Sequence, residues 1–356
     1  MSRTPAHHYH PMVRSVARAL RQRCGVSPGT AIVVGCSGGA DSVALLRALT
    51  VLAGRRKWRL RLIVGHVQHH LRDEAEDDAR FVAALAERLG LACVRRDIRP
   101  GEMPGNLEAN ARELRYKALA EIAAEHRAGF IATAHHADDQ LETLLMRMLR
   151  GASVAGLRGI AWHKPLADHF AIGSTKTGRP LCVIRPMLSV GRDGITALLD
   201  ELGQNYREDA TNLDTDRTRA RLRHDVLPVL KALQHDAPQK ACDLAEHFSE
   251  LYEVLRQNVE TQVTSTERTD RSLQIPREAA RRMSRAVLAE LLREAMIDLG
   301  TPAGKATRNA LLPAVAASQD SAGGTRVFSF ANAVTLTITR GQVRVQATDA
   351  EAGNSA

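Results

Sequence analysis

The sequence predicts a parallel, doubly wound α/β sheet followed by a smaller, mainly helical domain that ends in short strands. Three observations carry this expectation. Short β-branched runs alternate with amphipathic stretches through the first two-thirds of the chain. A glycine-rich turn follows the first apolar run directly, where such sheets present ligands at strand carboxyl ends. Beyond about residue 225 the texture changes to long helical patterns and then to alternating β runs.

The elements follow in order. AIVVGC (31–36) reads as a buried strand and runs at once into a helical pattern through DSVALLRAL. LRLIVGHV (60–67) is a second strand, and 73–90 a helix ended by Gly90. LACVRRDI (91–98) is a third strand, 106–127 a helix, GFIATA (129–134) a fourth strand and 138–151 a helix. Ser37–Ser42, His66–His70 and His135–Asp139 therefore fall along one rim of the sheet. In the second part, 242–263 and 279–300 read as helices and 325–346 as two or three strands. The expected division is a catalytic domain over 1–228, a second domain over 229–348 and a frayed tail over 349–356.

Composition narrows the function classes. The chain has 356 residues, 44% hydrophobic and 25% charged, which suits a globular protein with two cores. No run reaches the roughly 20 apolar residues of a membrane span, and the first residues show no secretory signal. Five scattered cysteines without a C-x-x-C pair argue against a disulfide framework or a cysteine metal site. The expected compartment is the cytoplasm. A net charge of +9 favours polyanionic partners, while 3% aromatics argues against a base-stacking platform.

The stretch GCSGGADS (35–42) holds two competing patterns. Gly35-Cys36-Ser37-Gly38-Gly39 fits G-x-S-x-G, the elbow of a nucleophilic serine. That pattern leaves Asp41 and Ser42 without a role. A phosphate-binding loop uses all six residues Ser37, Gly38, Gly39, Ala40, Asp41 and Ser42. The glycines let backbone N–H groups approach an anion, the hydroxyls add donors, and a helix N-terminus faces the phosphate. Asp41 suits such a loop only with Mg²⁺ between it and the phosphate. The loop lacks the G-K-[ST] of a Walker A motif. A plain strand-to-helix turn is the bland alternative.

SGGADS resembles the loop of the N-type ATP pyrophosphatases, the PP-loop superfamily, whose fold is an adenine nucleotide α-hydrolase-like sheet. NLEANARELRYKAL (106–119), TAHHADDQLETLLMRMLRGASVAGLRGI (133–160) and the segments IRPMLSVGRDGI and YREDATNLDTDRTRARLRHDVLPVL (184–230) are similar to the lysidine synthetases that act on tRNA(Ile). The likeness spans about residues 30–230. One departure is HVQHHLR (66–72), where that family often shows HVDHGLR: Gln68 stands for the acid and His70 for the glycine, while His66, His69 and Arg72 persist.

The resemblance implies ATP and Mg²⁺ as cofactors, and as partners free L-lysine and a tRNA(Ile) with a CAU anticodon; it leaves room for a homodimer. It implies that the wobble cytidine is adenylated with release of pyrophosphate, after which lysine displaces AMP. Asp41 is then the Mg²⁺ ligand, and Ser37 to Ser42 with His66 and His135 contact ATP. Asp138, Asp139 and Glu142 form the acidic set for lysine, although acids in a first helical turn also serve as caps. His136 is a further candidate for proton transfer or phosphate contact. Arg112 and Arg115 share one helix face, with Arg115 assigned to the catalytic set and Arg112 to RNA; a solvated face is the alternative. Arg217, Arg219, Arg221 and Arg223 form the i,i+4 pairs 217/221 and 219/223 on opposite sides, preceded by a capped turn at Glu208, Asp209 and Asn212. Arg217 and Arg221 are the pair assigned to RNA. PREAARRMSR (276–285) is a further candidate for phosphate contact. A thiolase on the same loop and a non-catalytic tRNA-binding protein are the remaining alternatives.

Overall fold

A computed structural model describes residues 10–70, 75–166, 180–207, 217–263, 266–302, 304–321 and 324–347. Arg72, the turn at 208–212 and the tail 349–356 lie outside the described residues. The chain divides into two units, Met1–Met146 with Gly159–Asp243, and Arg147–Arg158 with Leu244–Ala356.

The first unit starts with α1 (Pro11–Gln22), β1 (Ala31–Gly35), α2 (Ala40–Ala53), β2 (Arg61–Gln68), α3 (Ala75–Arg88) and β3 (Ala92–Asp97). It continues with α4 (Leu107–Glu125), β4 (Phe130–Ala132) and α5 (Ala137–Leu149); α6 (Val154–Leu157) follows in the chain and falls in the second unit. Then come β5 (His163–Pro165), β6 (Cys182–Ile184), α7 (Arg192–Glu201), α8 (Arg217–Arg221), a π-helical turn at Leu222–Val226 and α9 (Leu227–Leu233). The strands form one sheet in the order β3-β2-β1-β4-β6-β5, parallel except for the antiparallel edge strand β5. The expected doubly wound sheet is present.

β1 explains itself from its side chains. Ala31 and Val33 point into one core and Ile32 and Val34 into the other, so both faces are apolar and the run AIVV is uninterrupted. β1 pairs Val33 with Ile63 on one side and with Ile131 on the other. Neighbouring strands β2 and β4 thus leave β1 in opposite directions, and the carboxyl ends of β1 and β4 flank the crevice at this switch point. Gly65 lets α4 approach the sheet: a Cβ there would lie 2.7 Å from Leu119 Cδ2 and 3.0 Å from Val33 Cγ1. The Asn106 side chain caps α4 by accepting from the Ala109 N–H at 2.9 Å.

The second unit holds a five-stranded antiparallel sheet in the order β7 (Glu267–Thr269), β8 (Ser272–Pro276), β11 (Gln342–Ala347), β10 (Val334–Ile338), β9 (Arg326–Phe330). Val334, Leu336 and Ile338 face inward at every second position and pack with Leu288, Leu291 and Leu311. Those leucines come from α12 (Arg285–Asp298) and α13 (Arg308–Gln319), and α11 (Arg277–Arg282) precedes them. α10 runs over Ala237–Val263. The helix expected over 279–300 is two, because Ser284 starts α12 by accepting from the Val287 N–H at 3.3 Å. Within 276–285, Arg277 is buried and donates to the carbonyls of Thr339, Ala317 and Asp320 at 2.7, 3.0 and 3.0 Å. Its guanidinium is therefore a core group and is closed to phosphate.

Candidate active site

The glycine loop leaves β1 at the crevice. Gly38 has φ +97, a left-handed conformation that glycine adopts without strain, and Gly39 caps α2 in an extended conformation. Ser42 closes the loop: its hydroxyl donates to Gly39 O at 2.9 Å and accepts from the Ser37 N–H at 3.2 Å. The Ser37 hydroxyl lies 3.3 Å from that of Ser42 and accepts from the Gly39 N–H at 3.4 Å. The Arg207 N–H donates to Gly38 O at 2.9 Å. Cys36 is buried, and burial pushes its thiol up to about 11, so it stays a thiol at neutral pH.

In the first turn of α2, Asp41 Oδ2 meets His136 Nε2 at 3.5 Å. His136 stands just before α5, at the end of β4, and is only 3% exposed. Its ring also lies 3.5 Å from Asp138 Oδ2 and 3.7 Å from Asp139 Oδ2, and its backbone N–H donates to Asp139 at 3.0 Å. Burial opposes a charge on this ring, but Asp139, Asp138 and Asp41 together outweigh it and push the imidazolium up to about 10. His135 next to it is the opposite case. Burial lowers it to about 3, with Arg185, Arg112 and Arg219 working the same way against Asp139, so the ring is neutral. Its Nδ1 lies 3.0 Å from the Thr133 hydroxyl.

The three acids of α5 are each paired inside the chain. Glu142, 1% exposed, accepts from Arg219 Nε at 2.9 Å and from Arg223 at 2.7 and 3.0 Å. Asp139 faces the same two guanidiniums at 3.5 and 3.7 Å. Asp138 pairs with the Lys231 ammonium and accepts from the Arg192 N–H, at the start of α7, at 3.1 Å. Burial acts against the Asp138 carboxylate, yet His136 and Lys231 hold it well below the usual range. Asp139 is held low against burial by the His136 charge and by the His136 backbone N–H.

The rest of the expected set is placed as follows. His66 is buried behind the loop; its Nδ1–H donates to Cys36 O at 2.9 Å. Nε2 lies 3.0 Å from Gln68 Oε1, and the buried Gln68 amide nitrogen has no hydrogen-bond partner among the described residues. Arg112 and Arg115 stay exposed on α4, Arg112 stacking on Tyr116 at 5.2 Å. Arg221 is 82% exposed and pairs with Asp225 at 3.5 Å, and Arg217 opens α8. The arginine pair that reaches the acids is thus Arg219 and Arg223. His136 as the hub, Lys231 and the Arg192 N–H also emerge only from the structure.

A cation fits at Asp41. Its Oδ1 is buried and without a hydrogen-bond partner among the described residues. Among the described residues no three His, Cys, Asp or Glu side chains form a metal cage. One carboxylate completed by phosphate oxygens is how Mg²⁺ is commonly held beside a nucleotide.

Residues 9–230 match the family model of the PP-loop domain. The chain belongs to the PP-loop domain family. Its PP-loop unit is similar to tRNA(Ile)-lysidine synthases. That of Bacillus subtilis (strain 168) is 36% identical over 251 residues, 69% of this chain and 48% of the relative. That of Symbiobacterium thermophilum is 40% identical over 231 residues, 64% of this chain and 45% of the relative. That of Rhodopirellula baltica is 33% identical over 276 residues, 68% of this chain and 67% of the relative. The chain thus spans about half the length of the Bacillus subtilis relative, at 48%. Among solved structures, the U34-tRNA thiolase NcsA from Methanococcus maripaludis shares the fold, with TM-score 0.51 and 18% identity over 68% of this chain and 78% of that one. No helix among the described residues is long and apolar enough to cross a membrane.

Proposed function

We propose that this PP-loop chain ligates L-lysine to C2 of the wobble cytidine of a tRNA(Ile) with a CAU anticodon, using ATP and releasing AMP and pyrophosphate. The product pairs with AUA in place of AUG. The observation that carries the proposal is the meeting of the two chemical halves: Asp41 of the glycine loop touches His136 of the AHH-x-DD segment at 3.5 Å. The tRNA(Ile)-lysidine synthase relatives support the same substrates. The cytoplasm is the proposed compartment.

In the first step the C2 oxygen of cytidine attacks the α-phosphorus of ATP, and the bond to the β-phosphate oxygen breaks. Ser37 and the Gly38–Gly39 backbone cradle the phosphates at the start of α2. Asp41 would hold Mg²⁺, which neutralises charge on the departing pyrophosphate. His136, kept cationic beside Asp41, adds positive charge at the same place, and neutral His135 offers hydrogen bonding without charge. In the second step the lysine ε-amine attacks C2, the C2–oxygen bond breaks and AMP leaves. Asp138, Asp139 and Glu142 seat the ammonium, and its proton departs through this group.

The test is an incubation of the full chain with ATP, Mg²⁺, labelled L-lysine and an unmodified tRNA(Ile) transcript with a CAU anticodon. Lysine is expected in the RNA in step with AMP. Release of ADP with no lysine in the RNA overturns the proposal.

A further inference from the structure

The acidic group is already occupied before any substrate arrives. Asp138, Asp139 and Glu142 face Arg219, Arg223 and Lys231, three carboxylates against three fixed cations. A substrate ammonium that takes a place on one of these carboxylates displaces the cation that holds it. The resident groups are not equally bound. Arg219 and Arg223 grip Glu142 through three N–H donors, and Glu142 is 1% exposed. His136 contacts three carboxylates and is buried.

Lys231 differs. It is a point charge on a flexible stem rather than a planar fork, among the described residues it pairs with Asp138 alone, and its side chain is 27% exposed. When it leaves, Asp138 keeps the Arg192 N–H at 3.1 Å and the His136 ring at 3.5 Å, so the carboxylate stays in place. Lys231 also carries the same primary ammonium as free lysine.

We propose that Lys231 is a built-in occupant of the ammonium seat at Asp138, displaced when free lysine binds. This inference rests on the lysine-ligating function proposed above. Lys231 is a positioning residue: it holds Asp138 while the seat is empty, and it raises the lysine concentration needed to fill the seat. Amines that lack the strength to displace it, and cations too bulky to follow it, are refused. An arginine at 231 grips a carboxylate through two N–H groups and is the harder occupant to displace.

The test measures steady-state lysine incorporation as a function of L-lysine for the wild type and for Lys231→Met, Lys231→Gln and Lys231→Arg. The Met and Gln variants are expected to lower the KM for lysine several-fold, and the Arg variant to raise it. A merely structural role predicts instead a fall in kcat with KM for lysine unchanged or raised in Met and Gln. Wild-type incorporation with that second pattern overturns the Lys231 inference and leaves the proposed function standing. No incorporation by the wild type overturns both. Should neither neutral variant fold, the wild type carries the test: reductive methylation of Lys231, followed by mass spectrometry with reagent in excess, is expected to rise several-fold in saturating L-lysine over equal L-norleucine. Equal labelling in the two amino acids overturns the inference.

Discussion

Asp41 and His136, ninety-five positions apart in sequence, meet at 3.5 Å because β1 and β4 are neighbours in the sheet and end at the same crevice. The contact makes the His136 charge part of the fold. Its imidazolium is pushed up to about 10 from an ordinary 6.5. A pKa raised on folding gives stability that is fully present below about pH 6.5 and is lost as pH rises towards 10. The urea midpoint in metal-free buffer is therefore expected to fall between pH 6 and 9.5, by up to about 4 kcal/mol of stability. In His136→Asn that slope should flatten, and an unchanged slope would contradict the charge assigned to the ring.

Glu142 gives a second prediction. It is buried against two guanidiniums, and Glu142→Gln takes away the carboxylate they hydrogen-bond and leaves them facing Asp139 at 3.5 and 3.7 Å. Removing one partner of a buried ion pair costs about 3 kcal/mol or more. Arg221→Ala removes only an 82% exposed side chain with an i,i+4 partner, worth about 0.5 kcal/mol or less. Thermal melts of the two variants should separate clearly, with Glu142→Gln also losing lysine incorporation.

The fold of the first unit was legible where one residue type dominated. AIVV predicts a strand buried on both faces, and SGGADS after it predicts the turn, because the local pattern and the tertiary environment agree. β7 and β8 were not legible, being three and five residues long beside a basic stretch. The arginines show a different limit. The pairs 217/221 and 219/223 follow from helical spacing alone, but which pair faces the acids depends on where the helix packs, and a π-helical turn at Leu222–Val226 alters its phase. The R-x-x-L-R spacing of Arg219 and Arg223 was the one available signal. Lys231 reaches Asp138 from another element altogether, so no local pattern announces it.

The two loop glycines should respond differently to alanine. At Gly38 the neighbours Arg207, Phe81 and Val82 stand at ordinary contact, 3.5 Å, so the cost lies in the left-handed backbone at φ +97. That cost is about 1–2 kcal/mol, and relief of it distorts the cradle. Gly39 has φ −71, which alanine adopts freely. Gly38→Ala is expected to lower the melting point and raise the KM for ATP, with Gly39→Ala changing stability by less than about 0.5 kcal/mol. Equal melting points would remove the backbone argument.

Asp41→Asn tests the loop's chemistry rather than its shape. Asparagine is nearly isosteric, so α2 and the Ser37–Ser42 hydrogen bonds persist. What goes is one negative charge, on a carboxylate whose buried Oδ1 has no hydrogen-bond partner among the described residues. If that oxygen holds Mg²⁺ against the departing phosphates, pyrophosphate release should drop at least about 100-fold, in line with loss of a single charge-stabilising group. Excess Mg²⁺ should not restore it, because the lost oxygen is a ligand and not a matter of occupancy. Filter binding of tRNA should stay within a few-fold, since Asp41 repels phosphate backbone and contributes no attraction to it. Pyrophosphate release at the wild-type rate would show that the cation is held elsewhere, leaving Asp41 with the partnering of His136 as its task.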